Sequence, residues 1–290
     1  MVDTRLAVVG LSLLGAVLLA GTGIVTKLGL KHSDVRRSVV VCFGANLLVL
    51  GLALLLTRPA LGLAPQGAAL FVLDGALGLL AVSLLFVGVD RVGPAISYPI
   101  KSASPIAALL FAALTLHEVA SPPVYLGALL AVSGVVLLSA QRTAGGVRWQ
   151  PAVLFPVVGA LFFAADNVVR KAALRDVPSP LVGLTIAVGT SFLLALVAHL
   201  VLSPPGKRQV LDGGAPYFAM AGALQAAALL AVYAALSMGM VAVVVPLYTS
   251  SPLFVLPLSA VFLRGVERVT PRIAVGAVAV VLGVVLVALY

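Results

Sequence analysis

Asp74, Lys101 and Asp166 lie inside long apolar stretches of the chain. An ionisable side chain at the centre of a bilayer costs roughly 2.5 to 3.5 kcal/mol on insertion scales, so each of the three needs a reason to be there. Lys101 sits about seven residues, or roughly 10 Å, into its stretch. Two readings of it are open. Its stem can snorkel and leave the ammonium near the headgroups, or the ammonium is a fixed cation that attracts a solute carboxylate or another anionic group. Asp74 is suited to carry a coupling proton or to hold a solute amine. Counting back from the connection at Arg91 places it about 10 Å deeper than Lys101, which argues against a direct ion pair between them. Asp166 precedes Arg170 by four residues, a spacing that puts both on one helix face, so an internal pair and a solute contact are both open. Asn167 beside it adds a donor and an acceptor.

A second set of residues suggests moving parts. A proline inside a helix leaves a carbonyl without its N–H partner, and in a bilayer this is tolerated where the freed backbone faces protein or a watery cavity. Pro99 and Pro105 fall in one apolar stretch, and Pro246 and Pro252 in another. They predict two breaks in each of two helices, read either as gates or as static kinks that aid packing.

The elements that must position these residues follow from composition. Of 290 residues 62% are hydrophobic and only 9% charged, about a third of the charge of a soluble domain. That excludes a disordered chain, a disulfide scaffold and an ordinary soluble enzyme. A span needs about 20 apolar residues, and ten stretches qualify: 6–29, 38–57, 67–89, 94–116, 122–140, 152–174, 180–202, 215–237, 241–263 and 271–290. The first runs on to Lys27, too long for the apolar core of a signal peptide. The expected fold is an all-α integral membrane bundle with no separate soluble domain. The net charge of +9 falls mostly in the short gaps and reads as headgroup and topology anchors, not as a nucleic-acid surface. One cysteine, Cys42, and three scattered histidines, His32, His117 and His199, predict no metal site and no cofactor. No G-x-x-x-x-G-K-[ST] segment is present for ATP hydrolysis, and the dispersed acids disfavour an enzyme acting on lipid or isoprenoid substrates. A channel is disfavoured too, since no ring of like charges is visible.

The two halves repeat. Pro99, Pro105, Gly75 and Phe86 match Pro246, Pro252, Gly222 and Tyr233 at an offset of 147. Glu118, Pro122, Gly127 and Gly134 match Glu267, Pro271, Gly276 and Gly283 at 149, and Lys27 matches Lys171 at 144. The expected division is residues 1–140, a linker at 141–151, and residues 152–290. Five spans per half is odd, so the second copy must enter the membrane from the other side, giving an inverted repeat suited to alternating access. Asp74, Lys101 and Asp166 face Ala221, Tyr248 and Thr22 in the repeat, so the charges depart from the symmetric scaffold. Glu118 and Glu267 read as structural partners of the next helix's N-terminus, the glycine pairs as close-packing faces, and Lys27 and Lys171 as interfacial anchors.

Ten spans as five plus five, a glycine-containing first span ending in Lys27, and Glu followed by Gly-x6-Gly closing each half resemble the drug/metabolite transporter superfamily, in particular its EamA-type members. The resemblance covers essentially the whole chain. It implies ten transmembrane helices as two five-helix inverted repeats around a central cavity, and a transporter moving small metabolites such as amino acids, more in keeping with export. It would place Tyr98, Ser102, Gln225, Tyr233, Tyr248 and Thr249 around that cavity, where hydroxyls and aromatic rings suit amphipathic solutes. The partners expected are a solute and the lipid bilayer of a bacterial plasma membrane. One copy should suffice, because the repeat supplies the two-fold internally. Sidedness is contested. Loops on the termini's side carry five basic residues, Arg170 and Lys171 among them, against twelve opposite, which puts the termini outside. The resemblance implies cytoplasmic termini.

Overall fold

The computed structural model describes residues 2–59, 62, 64–92, 97, 100–139, 151–177, 179–203, 210–262 and 271–290, and among these every regular element is helical. They are α1 (Val2–Gly29), α2 (Val35–Thr57), α3 (Pro65–Val92), α4 (Ser104–Thr115), α5 (Pro122–Ser139), α6 (Leu154–Asp176), α7 (Pro180–Leu202), α8 (Ala215–Met238), α9 (Val241–Thr249), α10 (Ser251–Phe262) and α11 (Pro271–Leu289). Local chemistry sets the ends. The Asp34 carboxylate accepts the Arg37 N–H at 3.0 Å and caps α2, whose far end stops at Arg58 in the left-handed region (φ 42°). Pro180 opens α7, where its missing N–H has no partner to lose.

Six of the helices are long and apolar enough to cross a membrane: Thr4–Gly29, Val35–Thr57, Pro65–Leu85, Pro151–Asp176 (which includes the turn before α6), Pro180–Leu202 and Ala215–Met238. Shorter apolar helical stretches, Ile100–Thr115, Pro122–Leu137, Val241–Val255 and Val275–Val287, lie where the other four spans were expected. Leu48, Leu55, Leu56, Leu114 and Leu126 are among the large side chains exposed on the outside, as an apolar solvent requires.

Helix neighbours are reciprocal between the halves. α1 packs on α8 and α6 on α3; α2 packs on α8 and α7 on α3; α5 packs on α11. Glycines show the reciprocity at the level of atoms. A methyl on Gly134 would lie 2.6 Å from both the Gly276 carbonyl oxygen and the Val280 nitrogen. One on Gly283 would meet their repeat equivalents, the Gly127 carbonyl oxygen at 2.6 Å and the Ala131 nitrogen. Only hydrogen fits at this crossing. Gly75 in turn presses on the Ala187 carbonyl and Thr190 of α7, while Gly222 presses on the Cys42 carbonyl, Ala45 and Asn46 of α2. The copies differ in their polar fittings. Ser191 donates to the Gly75 carbonyl at 2.8 Å, whereas Asn46, at the matching place, is buried with neither amide atom paired among the described residues.

Among the described residues each proline-bearing helix shows one break. Helical residues 100–102 end at Ala103 before α4 begins, and α9 ends at Ser250 before α10. The two break points are 147 residues apart, and Pro105 and Pro252 each fall just after one, near a new helix start that needs no N–H. Pro246 lies inside α9 without ending it, so the expected break there is not observed. Pro99 lies outside the described residues, as does most of the expected linker.

Candidate functional site

Asp166, Asn167 and Arg170 occupy one face of α6, because three- and four-residue spacings bring side chains into line on a helix. That face turns toward α3, α8 and α9. The Arg170 guanidinium uses one nitrogen, Nη2, to donate to Asp74 Oδ1 of α3 at 3.0 Å and to Asp166 Oδ2 at 2.8 Å. Its Nε reaches Asp74 Oδ2 at 3.4 Å and its Nη1 reaches Asn167 Oδ1 at 3.4 Å. The Tyr233 hydroxyl of α8 donates to Asp74 Oδ2, and its ring lies 4.6 Å under the guanidinium carbon. The Tyr248 hydroxyl of α9 donates to Asn167 Oδ1 at 2.8 Å. Four helices are thus tied together through polar atoms within an apolar core.

The cluster is shut off from solvent, with Asp74 1% exposed, Asp166 5%, Asn167 2% and Arg170 7%. Buried charges persist only when paired and hydrogen-bonded. Arg170 and Asp74 meet that condition. Asp166 meets it with one oxygen, since its Oδ1 has no hydrogen-bond partner among the described residues.

Lys101 stands beside this group and does not join it. It lies in the helical turn before α4, half-buried, with its ammonium 4.8 Å from the centre of the Phe163 ring, a cation–π contact. Phe163 is one turn before Asn167 on α6, so Lys101 and Tyr248, which match each other in the repeat, meet successive turns of one helix from the two halves. Neither Asp74 nor any other described carboxylate forms an ion pair with Lys101.

The other expected residues divide. Tyr233 and Tyr248 belong to the cluster. Ser102 is half-buried next to Lys101 in the chain. Gln225 is half-buried on α8, about 12 Å before Tyr233 along the helix axis. Thr249 spends its hydroxyl on its own helix, donating to the Val245 carbonyl at 2.7 Å. Tyr98 lies outside the described residues. A cavity of about 310 Å³ opens between α4 and α5, lined by carbon-rich side chains including Pro105, Leu109 and Leu129, and it does not reach the charged cluster.

Three expectations change. Arg170, counted with the loop charges, is the centre of the cluster, because α6 continues to Asp176 and carries it inside. Lys171 is no headgroup anchor: its ammonium donates to the carbonyls of Leu236 at 2.6 Å and Gly239 at 2.8 Å, where α8 ends. With both removed, the termini's side keeps only Arg5, Arg58 and Arg175 of its five. Glu118 does cap a helix N-terminus, but that of α9 in the other half and not that of the next helix in sequence. Its Oε2 accepts the Val241 N–H at 2.7 Å, and its Oε1 lies 4.0 Å from Lys171.

A bundle of apolar helices of membrane length, closed around a buried charge cluster, defines a multi-pass integral membrane protein. The model of the EamA-like transporter family matches residues 6–140 and again 150–289, and the chain belongs to that family. It is accordingly a membrane transporter of the drug/metabolite transporter superfamily. A solved structure described only as "Crystal structure of protein" is similar in fold, with a TM-score of 0.78 at 19% identity over 97% of this chain and 98% of that one. No curated protein matches the chain.

Proposed function

We propose that the chain is a secondary carrier exporting a small polar or amphipathic metabolite, an amino acid or a similar solute, across the bacterial plasma membrane by alternating access. Its ten spans form two inverted five-helix repeats, and the exchange of their two conformations opens a central site to one side and then the other. The observation that carries this reading is the cluster of Asp74, Asp166 and Arg170, sealed where helices of both halves meet. Charges at such depth are costly and mark solute or ion pathways. The closed cluster fits an occluded state in which the path is shut.

In this reading Lys101 offers a cation to an anionic group of the solute, and Asp166, Asn167, Asp74, Tyr98, Ser102, Gln225, Tyr233, Tyr248 and Thr249 supply or support polar contacts along the path. The helix breaks at Ala103 and Ser250, with Pro105 and Pro252 beside them and Pro99 and Pro246 upstream, give the gates.

Purified protein in liposomes should show saturable counterflow with at least one member of a panel of amino acids and related metabolites. Lys101→Ala should lower it for anionic and zwitterionic members. Flux that rises without saturating would indicate a channel, and turnover of a lipid substrate without counterflow an enzyme. Equal flux of every anionic and zwitterionic solute in Lys101→Ala would remove Lys101 from the site.

A further inference from the structure

The valences of the cluster are unequally filled. Asp74 receives Arg170 on both oxygens and Tyr233 on one of them. Asp166 receives Arg170 on Oδ2 alone, and its Oδ1 is buried without any donor. Gly78 of α3 presents bare backbone beside this carboxyl: a methyl built there would sit 3.6 Å from Oδ1, in ordinary contact. The absent side chain leaves room beside Oδ1, ample for a proton. Charge points the same way. Two carboxylates against one guanidinium leave the buried group at −1, and both carboxylates reach the same nitrogen of Arg170, so each feels the other's charge.

We propose that Asp166 is the exchangeable proton site of this protein, taking one proton at Oδ1. The step forms an O–H bond at Asp166 with a proton drawn from water on one side of the membrane, and breaks it by release to water on the other. No other bond changes. The bound proton brings the cluster from −1 to neutral and leaves Asp74 as the one anion facing Arg170, while Oδ2 keeps its neutral hydrogen bond, which tightens the tie between α6 and α3 and, through Tyr233, α8. Loss of the proton divides Arg170 between two carboxylates and loosens that tie. The site therefore favours the closed arrangement when protonated. The charged and titratable groups facing it are Asp74 from α3, Arg170 on its own helix, Tyr233 from α8 and Tyr248 from α9.

This rests on the carrier reading for its purpose, but the test needs no solute. Infrared spectra of the purified protein in nanodiscs, recorded as pH is lowered, should show a carboxylic acid C=O band, its carbonyl oxygen Oδ2 hydrogen-bonded by Arg170, that is lost in Asp166→Asn. Asp166→Glu, which keeps the carboxyl should the amide variant fail to fold, should retain the band at a shifted frequency. Gly78→Ser places a hydroxyl against Oδ1, fills its empty valence and should move the band's midpoint to lower pH, a shift that a merely structural Asp166 would not give. A wild-type protein without the band, a band that survives in Asp166→Asn, or an unchanged midpoint in Gly78→Ser would overturn the proposal and leave the carrier reading intact. Absence of saturable flux would do the reverse.

Discussion

Replacing Arg170 by methionine removes the one cation from a site that holds two buried carboxylates. Asp74 is 1% exposed and Asp166 5%, so neither carboxylate can turn to water in its place. Breaking a buried pair by deleting one partner costs about 3–5 kcal/mol, because an unpaired charge is left behind. For a chain of this size that corresponds to a loss on the order of 10 °C in Tm. Asp74→Asn removes a charge of the other sign and should behave differently. It leaves Arg170 facing Asp166 alone, a neutral pair, and forfeits charge-assisted hydrogen bonds worth about 1–3 kcal/mol. The sharper test is Arg170→Met combined with Asp74→Asn and Asp166→Asn. No charge then remains in the pocket, and the triple variant should recover most of the stability lost by Arg170→Met. Thermal unfolding of the four proteins in nanodiscs, followed by circular dichroism, measures this directly. If Arg170→Met melts with the wild type, or if the triple variant is no more stable than the single one, the cluster is not the buried, mutually dependent unit described above.

Two further outcomes follow from packing and from the surface. Gly222→Ala drives a methyl into the Cys42 carbonyl and to 2.9 Å from Ala45, and Gly75→Ala does the same against Ala187 and Thr190, so each should lose about 1–3 kcal/mol. Gly10→Ala, where a methyl meets nothing within 4 Å, should instead hold or gain stability, and equal melting of all three variants would refute the close crossings. In the connection before α8, Asp212 bonds Arg37 at 2.9 Å and the Gly214 N–H at 2.9 Å. Burial alone would raise its carboxyl, but Ser33, Arg37 and Gly214 around it outweigh that and hold it below the ordinary value. A depressed carboxyl stabilises the fold above its unfolded value, about 3.9, and loses that contribution as pH falls through the lower folded one. Asp212→Asn should therefore melt below the wild type near neutral pH and converge with it in acid; a gap that persists in acid would be against the assignment.

Much of this was readable from residue order, and what was not had a common cause. Long apolar runs, the matched glycines at 127, 134, 276 and 283, and the prolines at 105 and 252 carry their meaning in one dimension, since helix length, close packing and helix starts are set by near neighbours in sequence. The Asp166 and Arg170 pair was readable for the same reason: four residues make one helical turn. Asp74 and Tyr233 were each legible as candidates but not as partners of Arg170, since they are 96 and 63 residues away from it and only the packing of α3 and α8 on α6 joins them. Glu118 was read as a helix cap, and it is one, yet of a helix 123 residues further on.

The placement of Arg170 shows where counting charges fails. Followed at once by Lys171, with Arg175 and Asp176 soon after, it looks like the basic fringe of a span. Depth along a helix was judged from the nearest polar run, and a polar run ordinarily marks water. Here the run is amphipathic: Lys171 turns to the carbonyls of Leu236 and Gly239 while Arg170, one residue earlier and about 100° around the helix, turns inward to Asp74. A charged pair at consecutive positions near a span's end must therefore be read by face as well as by depth. The inward member then needs counter-charge at the same level, and among the described residues Asp166 and Asp74 provide it. Two acids for one base leave one negative charge over. That residual charge, and not the presence of buried ions as such, makes the cluster a place where a proton can change the balance between helices.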